Sequence, residues 1–345
     1  MAKVAVALSG GVDSSVAALL LKEAGHQVLG LSLRLGAGAD LAWRDGAVAA
    51  QQVGIPHRVV EAAGEFGERV LEPVARAYAA GRTPNPCGWC NARVKFPLLW
   101  RAAQEDGCQH LATGHYARVV QDNGRWFLAE AADAGKSQAY FLARLAPELL
   151  PRLLFPLGGL RKEQVRQMAA AAGLQAAQRP ESQDMCFLPV GGWDQFMAQR
   201  QGVRPGPLKD QQGRVLGEHA GLHRYTVGQR RGLGLALGQP MYVTALDGPR
   251  AAVTVGPRPS LATRGLAGRR PLWYAPLDAQ RPYTVRFRYS HRGVACRVRG
   301  DDRTVEVSFA QEQGAVAPGQ LAVFFKDRTI MGSAWIVKAF PSNHG

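Results

Sequence analysis

The chain lacks any long apolar run, and this absence excludes a protein built on membrane-spanning helices. A helix that crosses a bilayer needs roughly 20 consecutive apolar residues, and no stretch of the 345 residues approaches that length. The start carries a lysine before a short apolar stretch, but polar and flexible residues follow from Ser9, too early for a secretory signal. The sequence therefore predicts a cytoplasmic protein with no membrane association.

The chain has few cysteines, and their number is odd, which argues against a framework of disulfides. The chain has five cysteines, and Cys87 and Cys90 form a single Cys-Gly-Trp-Cys without the second pair that a four-ligand zinc site requires. Cys108 and Cys296 stand alone in helical or strand-like sequence, so we expect both to be buried and inert. Cys186 lies in another loop-like segment, where a thiol can be exposed.

Acidic residues are few in the C-terminal part of the chain. Residues 1–200 hold 21 basic and 18 acidic side chains, whereas residues 201–345 hold 21 basic and 9 acidic ones, which gives net charges of +3 and +12. Clustered Lys and Arg gain free energy by releasing counterions from phosphates, so the excess favours a polyanionic partner. A solubilising surface is the alternative, and charge alone leaves both open.

The first 80 residues alternate between short apolar runs and Ala- and Leu-rich runs. The expected strands are 3–8, 27–33 and 57–60, and the expected helices are 14–24, 39–53 and 65–80. Strands that alternate with helices form a parallel sheet with helices on its faces. The sequence therefore predicts an α/β doubly wound N-terminal domain with a parallel sheet, a pattern typical of nucleotide-binding domains.

Changes in composition after residue 80 indicate further secondary-structure elements and the boundaries of the domains. We expect a loop at 81–91, a helix at 92–105, a strand at 109–113 and a hairpin around Asp122–Gly124, whose Asn-Gly supplies positive φ angles. The predicted domains are 1–145, a helical linking domain at 146–202 with its clearest helix at 161–172, and a β-rich region at 203–345. Short alternating runs split that region into a small β domain at 203–270 and a β-barrel at 271–345.

The segment Ser9–Ser15 (SGGVDSS) lies between the first strand and the first helix. Glycines there allow close approach of the backbone, and free amides at a helix start face an anion, so the segment predicts a pyrophosphate cradle. The Walker A lysine and the dinucleotide fingerprint are both absent. The S-G-G-x-D-S form resembles the ATP-pyrophosphatase family, whose members adenylate a substrate oxygen. Asp13 would orient phosphate or bind Mg²⁺, which prefers carboxylate oxygen.

Seven motifs spread over most of the chain resemble those of the tRNA-specific 2-thiouridylase family. They are ALSGGVDSS at 7–15, GRTPNPCGWCNARVKF at 81–96, ATGHYARV at 112–119, KSQAYFL at 136–142, FPLGGLRKEQVR at 155–166, CFLP at 186–189 and HRYTVGQRRGLGL at 223–235. They occur in the family's order, which chance does not explain.

The resemblance assigns three groups of site residues. ATP would contact Ala7, Leu8, Ser9, Gly10, Gly11, Val12, Asp13, Ser14, Leu33 and Gly114. The target base would meet Asn85, Pro86 and Cys87. The tRNA would contact His115, Lys136, Ser137, Gln138, Arg288, Tyr289 and Gln320. Taken without the family, His115 reads as a buried histidine, and Tyr289 and Gln320 as ordinary barrel residues.

The resemblance also implies a mechanism that uses ATP and Mg²⁺. ATP would adenylate O2 of the wobble uridine in the tRNAs for Lys, Glu and Gln. Sulfur would then come from a persulfide on Cys186, loaded by a sulfur-relay protein, with Cys90 as the partner nucleophile. The enzyme would act as a monomer.

Two positions depart from the family pattern. Cys87 stands where many relatives have an aspartate, and Ser137 replaces an aspartate of the KDQ motif. With Cys87, three thiols (Cys87, Cys90 and Cys186) could hold three corners of a [4Fe-4S] cluster, so a cluster route stands beside the persulfide route.

Three rival functions follow from the same residues. One is another adenylating enzyme of this fold, such as an amidotransferase or argininosuccinate synthase, although those lack the loop cysteine and the basic C-terminal part. Another is an RNA-binding protein without catalysis, and the third is an iron–sulfur redox protein. ATP consumption, the need for Cys90 and the colour of the purified protein discriminate among them.

Overall fold

The structure, a computed structural model, describes residues 1–36, 40–178, 192–235 and 238–342. The chain forms two compact units. The first unit consists of residues 1–70, 87–190 and 328–330, and the second of residues 71–86, 191–327 and 331–345.

A five-stranded parallel sheet forms the centre of the first unit. Its strands are β1 (Lys3–Ala7), β2 (Gln27–Arg34), β3 (His57–Glu61), β4 (His110–Ala112) and β7 (Leu153–Leu154), in the spatial order β3-β2-β1-β4-β7. Val4, Ala5 and Val6 are fully buried, as expected for a parallel strand covered on both faces. The parallel α/β fold predicted from the alternation is confirmed.

Helices connect the strands of this sheet. Over both units, the α-helices of the described residues are α1 (Val12–Glu23), α2 (Asp40–Val53), α3 (Ala63–Phe66), α4 (Glu72–Ala79), α5 (Pro86–Cys90), α6 (Phe96–Glu105), α7 (Ala139–Leu142), α8 (Lys162–Ala171) and α9 (Gly192–Gln201). Wider π-helical turns at Gly67–Leu71 and Asn91–Lys95 follow α3 and α5. Val16 and Ala17 of α1 share a core with Val165 and Ala169 of α8.

The segment 81–91, expected as a loop, is helical from Pro86 onward, so that expectation is wrong for its second half. Proline is well suited to the first position of a helix, because its fixed φ is helical and its missing N–H would have no partner there. The predicted hairpin is confirmed. β5 (Ala117–Asp122) pairs with β6 (Arg125–Glu130), and Asn123 and Gly124 have φ of 47° and 75°.

The second unit contains a small sheet and a barrel. The small sheet has the order β10-β11-β8-β9, from β8 (Gly206–Lys209), β9 (Val215–His219), β10 (Tyr242–Asp247) and β11 (Ala252–Gly256). The barrel strands are β12 (Ala262–Trp273), β13 (Tyr283–Arg286), β14 (Val294–Gly300), β15 (Thr304–Gly314), β16 (Leu321–Lys326) and β17 (Thr329–Pro341). Because β12 pairs with both β15 and β17, these six strands close on themselves, and the predicted barrel is confirmed.

Alternation along the barrel strands separates core from surface. On β14, Val294, Cys296 and Val298 are buried, whereas Ala295, Arg297 and Arg299, which alternate with them, are exposed. This period of two is the pattern of a strand with one face on a core. Within the described ranges, no helix is long and apolar enough to span a bilayer.

Candidate active site

The glycine-rich loop lies where the strand order of the first unit reverses. Residues 8–11 connect β1 to α1, and residues 113–115 follow the neighbouring strand β4. In open parallel sheets, ligands bind beyond the carboxyl ends of the strands at such a switch point. The fold thus brings two of the predicted nucleotide-binding segments to the edge of the sheet where a nucleotide is expected.

Hydrogen bonds fix the shape of the loop. Ser14 Oγ accepts from the Ser9 amide at 3.2 Å and donates to the Gly11 carbonyl at 3.0 Å. Ser32 Oγ on β2 donates to the Leu8 carbonyl at 2.6 Å. The first amides of α1 have no partner within their own helix, as at any helix start. The loop therefore holds a row of main-chain donors near the positive end of α1, an arrangement suited to an anion.

Two glycines make room for this arrangement. Gly10 has a φ of +71°, and a Cβ there would lie 2.1 Å from the Asp45 Cβ. A Cβ on Gly114 would lie 2.7 Å from the Asp13 carbonyl carbon and from the Ser14 nitrogen. The turn after β4 therefore packs directly on the start of α1, and a larger residue at 114 would separate them.

The other predicted nucleotide-binding residues named here are apolar and lie at or near the ends of β1, α1 and β2. Leu8 and Val12 are 3% and 7% exposed and belong to the core beneath the loop. Ala7 ends β1, and Leu33 lies half-buried near the end of β2. Of these four side chains, those of Leu8 and Val12 therefore pack in the core beside the loop.

Asp13 makes contacts that the sequence did not indicate. Lys162 Nζ, at the first residue of α8, donates to both carboxylate oxygens of Asp13 at 2.8 Å. The Tyr116 hydroxyl donates to one of these oxygens, also at 2.8 Å. The carboxylate expected to orient phosphate or Mg²⁺ is thus held by a lysine that is only 7% exposed. The magnesium role of Asp13 stays a prediction.

The loop cysteines lie on one short helix. Cys87 and Cys90 are three positions apart on α5, a spacing that places side chains on neighbouring positions of a helix surface. Cys90 is 6% exposed, whereas Cys87 is half-buried. Cys186 lies outside the described residues, and within those residues no group of three His, Cys, Asp or Glu side chains could hold a metal ion.

The segment before α5 is anchored within the second unit. Gln320 Nε2 donates to the carbonyls of Thr83 and Pro84 at 3.1 and 3.0 Å, and the Thr83 amide donates to the Pro318 carbonyl at 2.9 Å. Asn85, the next residue, is 4% exposed. Gln320, predicted to touch tRNA, therefore holds the backbone of Thr83 and Pro84, which immediately precede Asn85.

His115 follows Gly114 and is surrounded by aromatic rings. Its ring lies 5.8 Å from that of Phe96 and 6.4 Å from that of Phe155, and its Nδ1 is 2.7 Å from Thr113 Oγ1. Burial, together with the nearby charge of Lys95, lowers the pKa of His115 to about 3. The imidazole is therefore neutral at neutral pH, and any contact with tRNA would be a hydrogen bond or a stacking contact.

The other predicted tRNA residues of the first unit lie around α7. Ser137 is 6% exposed, and its hydroxyl accepts from the Ala131 amide at 3.3 Å. Gln138 Oε1 accepts from the Tyr116 amide at 3.0 Å, and Lys136 is half-buried. Ser137 and Gln138 thus stabilise the turn between β6 and α7.

Arg288 and Tyr289 follow β13 in the second unit. Arg288 Nη2 donates to the carbonyl of Val227 at 2.6 Å and also to that of Ala315. Tyr289 is 42% exposed. An exposed aromatic ring offers a stacking face to an unpaired base, whereas Arg288 has at least one of its donors committed to the protein backbone.

The two cysteines expected to be inert are buried. Cys108 and Cys296 are 6% and 3% exposed. Burial raises the pKa of Cys296 to about 12 and also raises the pKa of Cys108. Since the thiolate is the reactive form, both thiols are poor nucleophiles.

Lys162 and Tyr116 are the functional candidates that sequence reasoning missed. Both lie inside motifs that were recognised, FPLGGLRKEQVR and ATGHYARV. Lys162 is 149 residues away from Asp13 along the chain, so no local pattern could connect the two. A lysine in the first turn of a predicted helix, where acidic residues are favoured, was the available signal.

Comparisons with known proteins agree with this architecture. Three family models match successive parts of the chain: the tRNA methyl transferase HUP domain at 2–190, the tRNA methyl transferase PRC-barrel domain at 194–257 and the aminomethyltransferase beta-barrel domain at 263–336. The tRNA-specific 2-thiouridylase MnmA of Geotalea uraniireducens is 42% identical over 98% of this chain and 95% of its own length. That of Roseiflexus sp. is 41% identical over 98% of this chain and all of its own.

Among solved structures, a 4-thiouridine synthetase–RNA complex with bound ATP is 17% identical to the chain. Its TM-score is 0.35, over 54% of this chain and 45% of that one. A similarity of this size carries no argument about function.

Proposed function

The chain belongs to the family of tRNA-specific 2-thiouridylases, and on that premise we propose how it forms 2-thiouridine. It is a tRNA-uridine 2-sulfurtransferase. The proposal concerns the route: adenylation of the wobble uridine by ATP, followed by sulfur transfer from a cysteine persulfide.

The glycine loop carries the proposal for ATP. The loop lies at the switch point of a parallel sheet, and it leads into the free amides at the start of α1. Gly114 packs so closely on this helix start that a Cβ added to it would lie 2.7 Å from the backbone of Asp13 and Ser14. These features suit the phosphates of a nucleotide. The missing Walker lysine disfavours ordinary phosphoryl transfer. Cleavage at the α-phosphate is proposed because the S-G-G-x-D-S form resembles that of the ATP-pyrophosphatases.

In the first proposed step, O2 of the uridine attacks the α-phosphorus of ATP. The new bond joins O2 to phosphorus, the bond from phosphorus to the bridging oxygen breaks, and pyrophosphate leaves with the electron pair. The reaction converts a poor leaving group at C2 into AMP. Asn85, Pro86 and Cys87 would hold the base. The hydrogen bonds from Gln320 to the carbonyls of Thr83 and Pro84 support this role for Asn85, the next residue.

In the second proposed step, the terminal sulfur of a persulfide on Cys186 attacks C2, and AMP leaves with the former O2. The Cys90 thiolate then attacks the Cys186 sulfur, the sulfur–sulfur bond breaks, and 2-thiouridine forms together with a Cys90–Cys186 disulfide. A thiol reductant must restore both cysteines, and a sulfur-relay protein would supply the next persulfide. Cys90 is the last residue of α5 and directly precedes the Asn91–Lys95 turn.

An iron–sulfur cluster is the second candidate for the sulfur step. The observation that favours it is the position of Cys87 one helical turn from Cys90, which places two of the three predicted ligands side by side. Such a cluster, bound by three thiolates, would supply an open iron that binds sulfide.

The wobble uridines of the tRNAs for Lys, Glu and Gln are the proposed substrates, and the enzyme is proposed to act as a monomer in the cytoplasm. The exposed arginines and Tyr289 of the second unit suit an RNA partner, because arginine pairs with phosphate and an aromatic ring stacks on a base.

Thiolation of unmodified tRNA by anaerobically purified protein tests the proposal. The assay supplies ATP with either a persulfide donor or free sulfide, counts 2-thiouridine, AMP and pyrophosphate, and begins with an absorbance spectrum. We expect a colourless protein to form one AMP per thiouridine. Activity that follows a broad absorbance near about 400 nm would favour the cluster instead.

Matched variants separate the thiols. We expect Cys90→Ser and Cys186→Ser to abolish persulfide-dependent thiolation. Cys108→Ser should keep it, because that thiol is buried and has no part in the proposed mechanism. Normal thiolation by either of the first two variants would contradict the persulfide route. Cys87→Asp, which restores the residue common in relatives, should keep activity on the persulfide route and lose it on the cluster route.

A further inference from the structure

The two thiols of α5 differ in how accessible they are to solvent. Cys90, the nucleophile of the proposed sulfur transfer, is 6% exposed, whereas Cys87, three positions earlier on the same helix, is half-buried. Thiol–disulfide exchange requires access to the sulfur that is attacked. An external reductant therefore has poor access to a disulfide at its Cys90 sulfur, and the more exposed Cys87 is the neighbouring thiol on the same helix.

The helix places these two thiols within range of each other. Cα atoms three positions apart in an α-helix are separated by about 5 Å, and disulfides join Cα atoms about 4.4 to 6.8 Å apart. The Cβ atoms of such a pair lie about 5 to 6 Å apart, and a disulfide brings them to about 4 Å. A bond between Cys87 and Cys90 therefore requires a movement of about 1 to 2 Å within one turn of α5.

The residues around Cys90 are held in place. Asn91, the next residue, is 3% exposed, and its Nδ2 donates to the Phe141 carbonyl at 3.1 Å. The guanidinium carbon of Arg93 lies 5.1 Å from the centre of the Trp89 ring. Cys87, at the other end of the turn, is therefore the thiol that we expect to move toward its partner.

A role in binding the target base does not use the chemistry of this thiol. A thiol is only a weak hydrogen-bond donor and acceptor, and Cys87 stands where many relatives have an aspartate, a much stronger acceptor. What a cysteine adds at this position, one turn before a second cysteine, is the capacity for disulfide exchange.

We propose that Cys87 is the resolving thiol of the sulfur transfer, which attacks Cys90 after each turnover and takes over its disulfide. This inference rests on the proposed persulfide route, in which Cys90 ends in a disulfide with Cys186. Cys87 is then a catalytic residue in the regeneration of the enzyme.

The exchange needs no oxidant. The Cys87 thiol gives its proton to solvent, and its sulfur attacks the Cys90 sulfur. The Cys90–Cys186 bond breaks, its electron pair leaves on Cys186 as a thiolate, and a Cys87–Cys90 disulfide forms. Cys186 can then accept the next persulfide. An external dithiol attacks the more exposed Cys87 sulfur, supplies two electrons to the Cys87–Cys90 disulfide and is itself oxidised to a disulfide.

The first test identifies the disulfide that the wild-type enzyme holds after one turnover. The full-length protein, loaded with persulfide and freed of reductant, thiolates unmodified tRNA with ATP, and the reaction is stopped with acid. Thiols are alkylated at low pH, and tryptic peptides are analysed by mass spectrometry. Cys87 and Cys90 share the peptide 83–93. We expect this peptide to be lighter by two hydrogens and to carry no alkyl group, whereas Cys186 is alkylated.

The outcomes of this test are distinct. A peptide pair that joins Cys90 to Cys186, with Cys87 alkylated, would overturn the resolving role while the persulfide route stands. Alkylated Cys90 after 2-thiouridine has formed, or activity found only with an iron–sulfur cluster, would overturn the persulfide route and this inference with it. The test uses no variant, so it decides even if a substitution at position 87 prevents folding.

The second test compares later turnovers with the first. For each protein, the steady-state rate is divided by the rate of its own first turnover, with persulfide donor in excess. A thiol on the same turn acts at an effective concentration of about 1 mM or more, so with about 0.1 mM dithiol reductant we expect this ratio to fall about 10-fold in Cys87→Ser. About 10 mM reductant should remove most of the difference, because the external dithiol then replaces the resolving thiol.

Cys108→Ser is the matched control, since its thiol is also 6% exposed but lies outside α5. It should keep the wild-type ratio at both reductant concentrations. A wild-type ratio for Cys87→Ser at about 0.1 mM reductant would contradict the resolving role.

Discussion

The two units hold their candidate functional residues in different ways. In the first unit, the nucleotide loop works through main-chain amides and through space that Gly10 and Gly114 leave open. In the second unit, long side chains such as Gln320 and Arg288 reach backbone carbonyls of distant segments. The first arrangement is damaged by adding atoms, and the second by removing donors.

This difference also explains which functional residues can be recognised from sequence motifs. The glycine loop is one contiguous segment, so its residues are adjacent in the sequence. The anchor of the target-base segment joins residues 236 positions apart in Gln320 and Pro84, and neither residue indicates the other. Function carried by backbone is therefore easier to recognise in a sequence than function carried by side chains that position it.

The largest expected effect comes from adding one methyl group to the first unit. Gly114→Ala places a Cβ 2.7 Å from the backbone of Asp13 and Ser14, so the turn after β4 must shift away from α1. A misplacement of about 1 Å costs about 100-fold in rate. We expect that loss in kcat/KM for ATP.

The matched control is Gly159→Ala, where an added Cβ meets nothing within 4 Å. It should keep wild-type kinetics. If Gly114→Ala were as active as Gly159→Ala, the packing of the two segments would not matter for the nucleotide site.

A second effect appears in stability as the pH falls. The pKa of His115 is lowered to about 3 in the folded protein, so between that value and about 6.5 the unfolded chain binds a proton that the folded one does not. Stability contributed by neutral His115 is complete above pH 6.5 and is lost as the pH falls. Between pH 7.5 and 5.0, chemical denaturation should show a loss of about 2 kcal/mol from this group.

His115→Asn provides the comparison, because it keeps a polar side chain that does not titrate. The wild-type protein should lose more stability than this variant over the same pH range. Parallel pH profiles of the two proteins would contradict the lowered pKa.

A smaller effect comes from removing donors in the second unit. Gln320→Ala removes two hydrogen bonds, to Thr83 and Pro84, and neutral hydrogen bonds each contribute about 1 kcal/mol. We expect kcat/KM for tRNA to fall about 10-fold while binding of α,β-methylene-ATP, an uncleavable ATP analogue, is unchanged. Gln311→Ala, at an exposed position of β15, is the control. Weaker binding of the ATP analogue by Gln320→Ala would contradict the prediction that Gln320 affects only the use of tRNA.

The smallest expected effect concerns the buried thiols, one in each unit. Cys108→Ala and Cys296→Ala should retain wild-type thiolation, because burial raises the pKa of both thiols and the proposed mechanism uses neither. An alkylating reagent applied to the folded protein, followed by peptide mass mapping, should leave both unmodified. Rapid modification of Cys296 would show that the barrel core opens under native conditions.

Much of the first unit could be predicted from the sequence because its signals are local. Apolar strands, Ala-rich helices and the Asn-Gly turn gave element positions within a few residues of those observed. The two-residue strand β7 was missed because so short a strand has no periodicity. The helix at Pro86–Cys90 was missed because proline and glycine usually indicate a turn, although proline also suits the first position of a helix.

The site was predicted in part for the same reason. The loop, Gly114 and the α5 cysteines came from contiguous motifs. Lys162 was not predicted, because its contact with Asp13 depends on how α8 packs beside α1. The anchoring roles of Gln320 and Arg288 depend on closure of the barrel, which strand alternation indicates only as a class of fold.

Isotope transfer tests the central claim, adenylation of the uridine oxygen, most directly. The substrate is unmodified tRNA whose wobble uridine carries ¹⁸O at O2, and the AMP released by the wild-type enzyme is analysed by mass spectrometry. The account predicts one ¹⁸O atom in the phosphate of each AMP, since that oxygen leaves C2 bonded to the α-phosphorus. AMP without the label, formed while 2-thiouridine accumulates, would contradict adenylation of the base.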